Sequence, residues 1–175
     1  MELKTAINLI RDGVAGKNGP GIWADLGAGT GLFSKALGEC LPVGSSVYAV
    51  DRDARALDSI PWNYENKTLI RMSGDIEKEL VLPPLDGILI ANALHYISSQ
   101  SDFMKRQQVR LRDAGVFIIV EYDTTKGNQW VPHPISFNEM KKLAASIGCA
   151  VKLLGTVPSK FNTGDLYSVL LNPLH

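Results

Sequence analysis

Two hydrophobic periods take turns along this chain of 175 residues. Leu3, Ala6, Ile7, Ile10 and Val14 recur at helical spacing and predict an amphipathic helix over residues 2 to about 13, ending at Gly13. A loop over 16–21 leads to a short apolar run, 22–26, that reads as a buried strand. Leu32, Phe33, Ala36, Leu37 and Cys40 return to the helical period, and Pro42 and Gly44 close that helix. Residues 46–51 are β-branched and aromatic and predict a second strand. A short helix over 53–59 is stopped by Pro61, and 68–72 predicts a third strand with Gly74 and Asp75 just beyond it. After Pro83 and Pro84, residues 86–92 predict a fourth strand. Phe103, Met104, Val109 and Leu111 predict a helix, Ala114-Gly115 a turn, and 116–121 the most strand-like run in the sequence. Phe137, Met140, Leu143, Ala144 and Ile147 mark a last helix stopped at Gly148. Strands over about 150–157 and 166–171, with a turn at 162–165, complete the pattern.

Strands alternating with helices predict an α/β fold, a doubly wound, mostly parallel sheet covered on both faces with right-handed crossovers. The last two strands have a short connection and must run antiparallel to each other. The length suits one domain, 1–175, with an N-terminal helix and loop at 1–20 and the core at 21–175. Hydrophobic residues make up 45%, charged residues 21%, and 18 Lys plus Arg balance 18 Asp plus Glu, so charge gives no argument for nucleic acid. Cys40 and Cys149 lie far apart within regular elements and read as buried thiols. The first residues are unlike a signal peptide, and no apolar run approaches membrane length, which points to a reducing, cytoplasmic setting.

Chemistry concentrates where the first strand meets the next helix, at Asp25-Leu26-Gly27-Ala28-Gly29-Thr30-Gly31. A strand, a glycine turn and a helix start bring backbone N–H groups close to a ligand, because glycine permits positive φ and has no Cβ. A dinucleotide fingerprint would need a glycine where Leu32 stands, which disfavours an NAD-dependent oxidoreductase. A phosphate-binding P-loop would need Gly-Lys-Ser or Gly-Lys-Thr, and the residues are Gly31-Leu32-Phe33. In an open α/β sheet the ligand lies outside the carboxyl ends of the strands, where this chain places Asp25, Asp51, Asp75, Asn92 and Glu121. Acids and an amide beside a glycine turn suit a cationic ligand rich in hydroxyls and would repel phosphate. The only basic run, Lys105, Arg106, Arg110 and Arg112, reads as a solvated helix face.

The Asp-x-Gly-x-Gly-x-Gly pattern resembles the first motif of the class I S-adenosylmethionine-dependent methyltransferases, and the resemblance extends from Ile22 to about Leu171. It implies a Rossmann-like sheet of seven strands in the order 3-2-1-4-5-7-6, with strand seven antiparallel. It implies S-adenosylmethionine as cofactor, with S-adenosylhomocysteine as product, held by Asp25, Gly27, Ala28, Gly29 and Gly31. Asp51, with Arg52 beside it, matches the acid that accepts hydrogen bonds from the ribose hydroxyls. Asp75 and Ile76 match the pair that meets the adenine amino group and packs on the base. Asn92 and Ala93 match the segment whose backbone lies near the methionyl ammonium.

Methyl transfer from a sulfonium is an in-line displacement that needs positioning and exclusion of water, and no metal. A general base helps only where the nucleophile starts protonated, as a hydroxyl does; His95, Glu121 and His133 are the candidates. The family's signature for methylating base amino groups, an Asn or Asp followed by two prolines and an aromatic, is absent; Asn92-Ala93-Leu94-His95 stands there and resembles the small-molecule branches more than the DNA ones, which implies a small-molecule acceptor. The alternatives are a protein or RNA acceptor, or a cofactor-binding partner subunit without catalysis; the chain is expected to act as a monomer or homodimer. With only one helix before the first strand, cover for the site is expected from residues 122–134, from 61–66 or from a second subunit. Trp130 is expected to line the acceptor side, and Tyr96 to pack.

Overall fold

The computed structural model describes residues 1–15, 19–159 and 164–174, so the loop expected at 16–21 and the turn expected at 162–165 lie partly outside the described residues. Helix α1 (Leu3–Val14) leads into strand β1 (Ile22–Leu26), helix α2 (Leu32–Cys40), strand β2 (Ser46–Asp51), the short helix α3 (Ala54–Asp58) and strand β3 (Thr68–Ser73). Strand β4 (Leu85–Ala91), a 3₁₀ turn (Leu94–Tyr96), helix α4 (Gln100–Gln108), strand β5 (Leu111–Tyr122), helix α5 (Phe137–Ser146) and strands β6 (Cys149–Val157) and β7 (Leu166–Pro173) follow.

All seven strands form one sheet in the order β3-β2-β1-β4-β5-β7-β6. The pairs from β3 to β5 are parallel, and β7 runs antiparallel to both β5 and β6. Because successive strand residues face opposite ways, the apolar runs of β4 and β5 feed two cores. Leu89, Ile118 and Val120 pack with Leu9, Ile10, Phe33 and Leu37 of α1 and α2. Ile88, Ile90, Phe117 and Ile119 pack with Phe103, Met104, Met140 and Ala144 of α4 and α5. Helices cover both faces of the sheet, and the strand ends are left for chemistry.

One expected helix ends earlier than its periodicity suggests. Val109 is 84% exposed, and Leu111 already belongs to β5. The Ala114-Gly115 pair is not a turn between elements but an irregularity inside the strand: Ala114 has φ 59°, and the β4–β5 register shifts between Leu85 and Gly87. Such a bulge lets a strand continue through residues that otherwise read as a turn.

Candidate functional site

The glycine turn takes its shape from backbone positions that only glycine accepts readily. Gly27, Gly29 and Gly31 have φ of 83°, 50° and 78°. A Cβ on Gly27 would lie 2.5 Å from the Cβ of Ala93, and one on Gly31 would lie 2.5 Å from Ile60. The turn is tied to β2, since Gly27 and Ala28 donate to the Val50 carbonyl (2.9 and 3.0 Å) and Gly31 donates to that of Ala28 (2.8 Å). Asp51 completes the tie. Its Oδ2 accepts from the Gly29 N–H at 2.8 Å and its Oδ1 from the Asp53 N–H at 2.9 Å.

Beside this turn a cavity of about 360 Å³ opens over the carboxyl ends of β1 to β4. Its wall brings together Gly27, Asp51, Arg52, Asp75, Ile76, Asn92 and Ala93, all expected from sequence, and adds Gly74, Glu77, Tyr96 and Ile97. The volume falls in the range of small-ligand sites, about 300–1,000 Å³. Asp51, Asp75 and Glu77 against a single Arg52 give the wall an acidic bias. That bias fits a cationic ligand with hydroxyl and amino donors better than a phosphate. A side chain at Gly27 would collide with Ala93, so the close approach of these two parts of the cavity wall requires glycine there.

Asp25, Ala28, Gly29 and Gly31 are not part of that wall. Asp25 is 1% exposed, and its Oδ2 accepts a 2.6 Å hydrogen bond from the Ser34 hydroxyl, which fixes the first turn of α2 against β1. Burial pushes its carboxyl up to about 7, the Ser34 hydrogen bond opposes that shift, and the nearby Asp51 charge adds to it. A folded-state value above the ordinary 3.8 means that the native protein binds more protons than the unfolded chain between pH 4 and pH 7. This residue's contribution to stability is therefore full below about pH 4 and declines as pH rises to about 7. Asp25→Asn should remove that decline: in urea unfolding at a series of pH values, the variant should gain on the wild type from pH 4 to 7 and hold a constant lead above.

A second cavity, about 490 Å³, adjoins the first. Asn92 lines both. The other residues around the second cavity are Met1, Glu2, Thr5, Leu32, Tyr122, Val157, Pro158, Ser159 and Leu166. None of these was singled out from sequence as a site residue. They come from the start of α1, the start of α2 and the facing ends of β5, β6 and β7, and only the folded sheet brings them together. Asn92 itself has φ 53°, donates its N–H to the Val120 carbonyl at 2.8 Å, and buries an Oδ1 with no hydrogen-bond partner among the described residues. Asparagine tolerates that left-handed backbone better than most residues.

His95 and Glu121 form a buried pair. The His95 Nδ1 lies 2.7 Å from Glu121 Oε2, and the His95 backbone N–H donates to Glu121 Oε1 at 3.1 Å. The ring lies near those of Tyr96 and Tyr122, with centroids 4.3 and 6.1 Å away. Tyr96 borders the first cavity and Tyr122 the second. Tyr96 does not pack as expected; it is 52% exposed. His133 is exposed and lines neither cavity. Its backbone N–H donates to the His95 carbonyl at 2.9 Å, so residues 123–136 pin the 3₁₀ turn from outside.

The expected covers resolve differently. Trp130 is 71% exposed and borders neither cavity, so the acceptor role expected for it does not hold. An indole in solvent there follows from the turn at Asn128, whose Oδ1 accepts from the N–H groups of Trp130 and Val131 and turns Val131 inward in its place. Residues 61–67 pack on α2 and do not cover the cavities: the Tyr64 hydroxyl donates to the Lys35 carbonyl (3.0 Å) and the Lys67 ammonium to that of Gly38 (2.6 Å).

A sheet in this order, with a glycine turn after β1 and acids at the ends of β1 and β2, defines a Rossmann-like methyltransferase fold. The chain belongs to the methyltransferase domain family, whose model matches residues 24–119. No curated protein matches it in sequence. Among solved structures it is similar to the YcgJ protein of Bacillus subtilis (13% identity, 98% of this chain and 99% of that one, TM-score 0.75). It is also similar to a SAM-dependent methyltransferase of Aquifex aeolicus (16%, 99% and 100%, 0.72). A third similar structure is the magnesium protoporphyrin IX methyltransferase of Synechocystis, solved with bound SAM (15%, 98% and 79%, 0.74). At these identities the likeness is one of fold.

Proposed function

We propose that the protein is an S-adenosylmethionine-dependent methyltransferase acting on a small-molecule acceptor. The observation that carries this reading is the pair of adjoining cavities that share Asn92, one acidic beside the glycine turn and one largely apolar. In this reading Asp51 accepts from the ribose hydroxyls, Asp75 meets the adenine amino group, Ile76 packs on the base, and the backbone at Gly27, Asn92 and Ala93 lies near the methionyl group. Arg52 stands at the rim. Asp25, Ala28, Gly29 and Gly31 act from behind, shaping the turn. The cofactor, when bound, supplies an electrophilic methyl group on a sulfonium. The chain's part is to hold the acceptor in line at Asn92 and to keep water out with Leu32, Tyr122 and Leu166.

Thermal unfolding with S-adenosylhomocysteine, S-adenosylmethionine, NAD and NADP, each in large excess, tests this reading. A ligand at a hundred times its dissociation constant adds about 2.7 kcal/mol, enough to raise the midpoint by several degrees. Stabilisation by the two sulfur ligands alone is the expected result. Stabilisation by the dinucleotides alone would replace the reading with an oxidoreductase.

A further inference from the structure

Within that reading of the two cavities, we infer that His95 is the general base of the transfer, that Glu121 is its positioning residue, and that the acceptor is a hydroxyl compound of phenol type. Glu121 grips His95 twice, once at the backbone N–H and once at the ring. A carboxylate accepts from the ring, so in the neutral imidazole the 2.7 Å contact places the proton on Nδ1 and leaves the lone pair on Nε2. Among the described residues no hydrogen bond to Nε2 is formed, and 3% of the side chain stays accessible, with the Tyr96 and Tyr122 rings nearby. A histidine held only for packing has no need of a buried carboxylate aimed at its ring. Burying that carboxylate carries a desolvation penalty, which an orienting role for Glu121 explains.

The acceptor class follows from what such a base can do and from the second cavity, which Tyr122 beside the His95 ring borders. An aromatic amine, which is uncharged at neutral pH, or a thiol that ionises near neutrality attacks without a base, whereas a hydroxyl needs its proton removed as its oxygen attacks. The second cavity is walled by Met1, Leu32, Tyr122, Val157 and Leu166, with only a few polar groups, which suits a compact aromatic ring carrying one hydroxyl. In the step itself the hydroxyl proton passes to Nε2 and the oxygen's electron pair forms the new bond to the methyl carbon. The carbon–sulfur bond breaks with its pair kept by sulfur. The products are a methyl ether, S-adenosylhomocysteine and an imidazolium held by Glu121, which later releases its proton to water.

The test combines a tautomer measurement with an acceptor panel. Long-range ¹H–¹⁵N spectra of the protein should show His95 protonated at Nδ1 and bare at Nε2. In Glu121→Gln the amide can donate to Nδ1 and move the proton to Nε2. With S-adenosylmethionine, catechol and 3-nitrophenol should yield S-adenosylhomocysteine, and any turnover of aniline or thiophenol, which need no base, should be unaffected by His95→Gln. His95→Gln should bind S-adenosylhomocysteine as the wild type does and lose about 100-fold or more in kcat with 3-nitrophenol, in the range of a lost general base. It should lose little with pentafluorophenol, which is already ionised at neutral pH. An Nε2–H tautomer in the wild type, methylation confined to the amine or thiol, no methylation of either phenol, or equal losses with both phenols in His95→Gln would each overturn the inference. Failure of the wild type to bind S-adenosylhomocysteine would instead overturn the reading on which it rests.

Discussion

Asp51→Ala should bind S-adenosylhomocysteine about 100-fold or more weakly than the wild type while remaining folded. The carboxylate borders the cofactor cavity and already holds the Gly29 and Asp53 N–H groups at 2.8 and 2.9 Å. In the proposed site it also accepts from ribose hydroxyls, and hydrogen bonds to a charged group contribute about 1.5–3 kcal/mol each. Two of them account for the expected loss. Because the Gly29 N–H is left unpaired, stability should also fall by about 1–3 kcal/mol. Asp51→Asn keeps one acceptor oxygen and should retain part of the affinity. Calorimetric titration of the three proteins checks the order, and equal affinities would remove Asp51 from the site.

Gly27→Val should lose both stability and cofactor binding. At φ 83° a residue with a Cβ is strained by about 1–2 kcal/mol, and a β-branched one by more. The new Cβ would also lie 2.5 Å from that of Ala93, which sits at the end of β4 and cannot yield without moving the 3₁₀ turn. Overpacking of this kind adds about 1–3 kcal/mol, so a total loss of about 2–5 kcal/mol is expected in denaturant unfolding, with no measurable S-adenosylhomocysteine binding. Gly29→Ala is the informative contrast. An added Cβ there meets nothing within 4 Å, so only the backbone strain at φ 50° should register. Similar losses at both glycines would mean that turn geometry alone, and not the gap to Ala93, decides the effect.

Much of this site can be read along the chain because it is built from strand ends and one glycine turn. Gly27, Asp51, Asp75 and Asn92 each stand where a strand's apolar run stops, and the parallel sheet carries every such end to the same edge. Contacts made at a distance in sequence could not be read that way. Asp25 looked like a ligand-facing acid, but Ser34, nine residues on, takes its carboxylate into the core. His95 and Glu121 were visible singly, and their pairing depends on β4 lying beside β5 in the observed register. The second cavity draws on Thr5, Leu32, Tyr122 and Leu166, ordinary apolar or polar residues whose spacing says nothing about a common wall. Trp130 misled for the opposite reason. An aromatic residue in a polar loop suggests a ligand wall, whereas the turn at Asn128 turns Val131 inward and leaves the indole in solvent.

Amide shift mapping on ¹⁵N-labelled protein titrated with S-adenosylhomocysteine tests the central claim most directly, because it reports which cavity the cofactor enters without needing an acceptor. The account predicts the largest changes at Gly27, Gly29, Asp51, Asp75, Ile76, Asn92 and Ala93, with Thr5 and Leu166 little affected. Changes centred on Thr5, Leu32 and Leu166, or none in either cavity at saturating ligand, would contradict it.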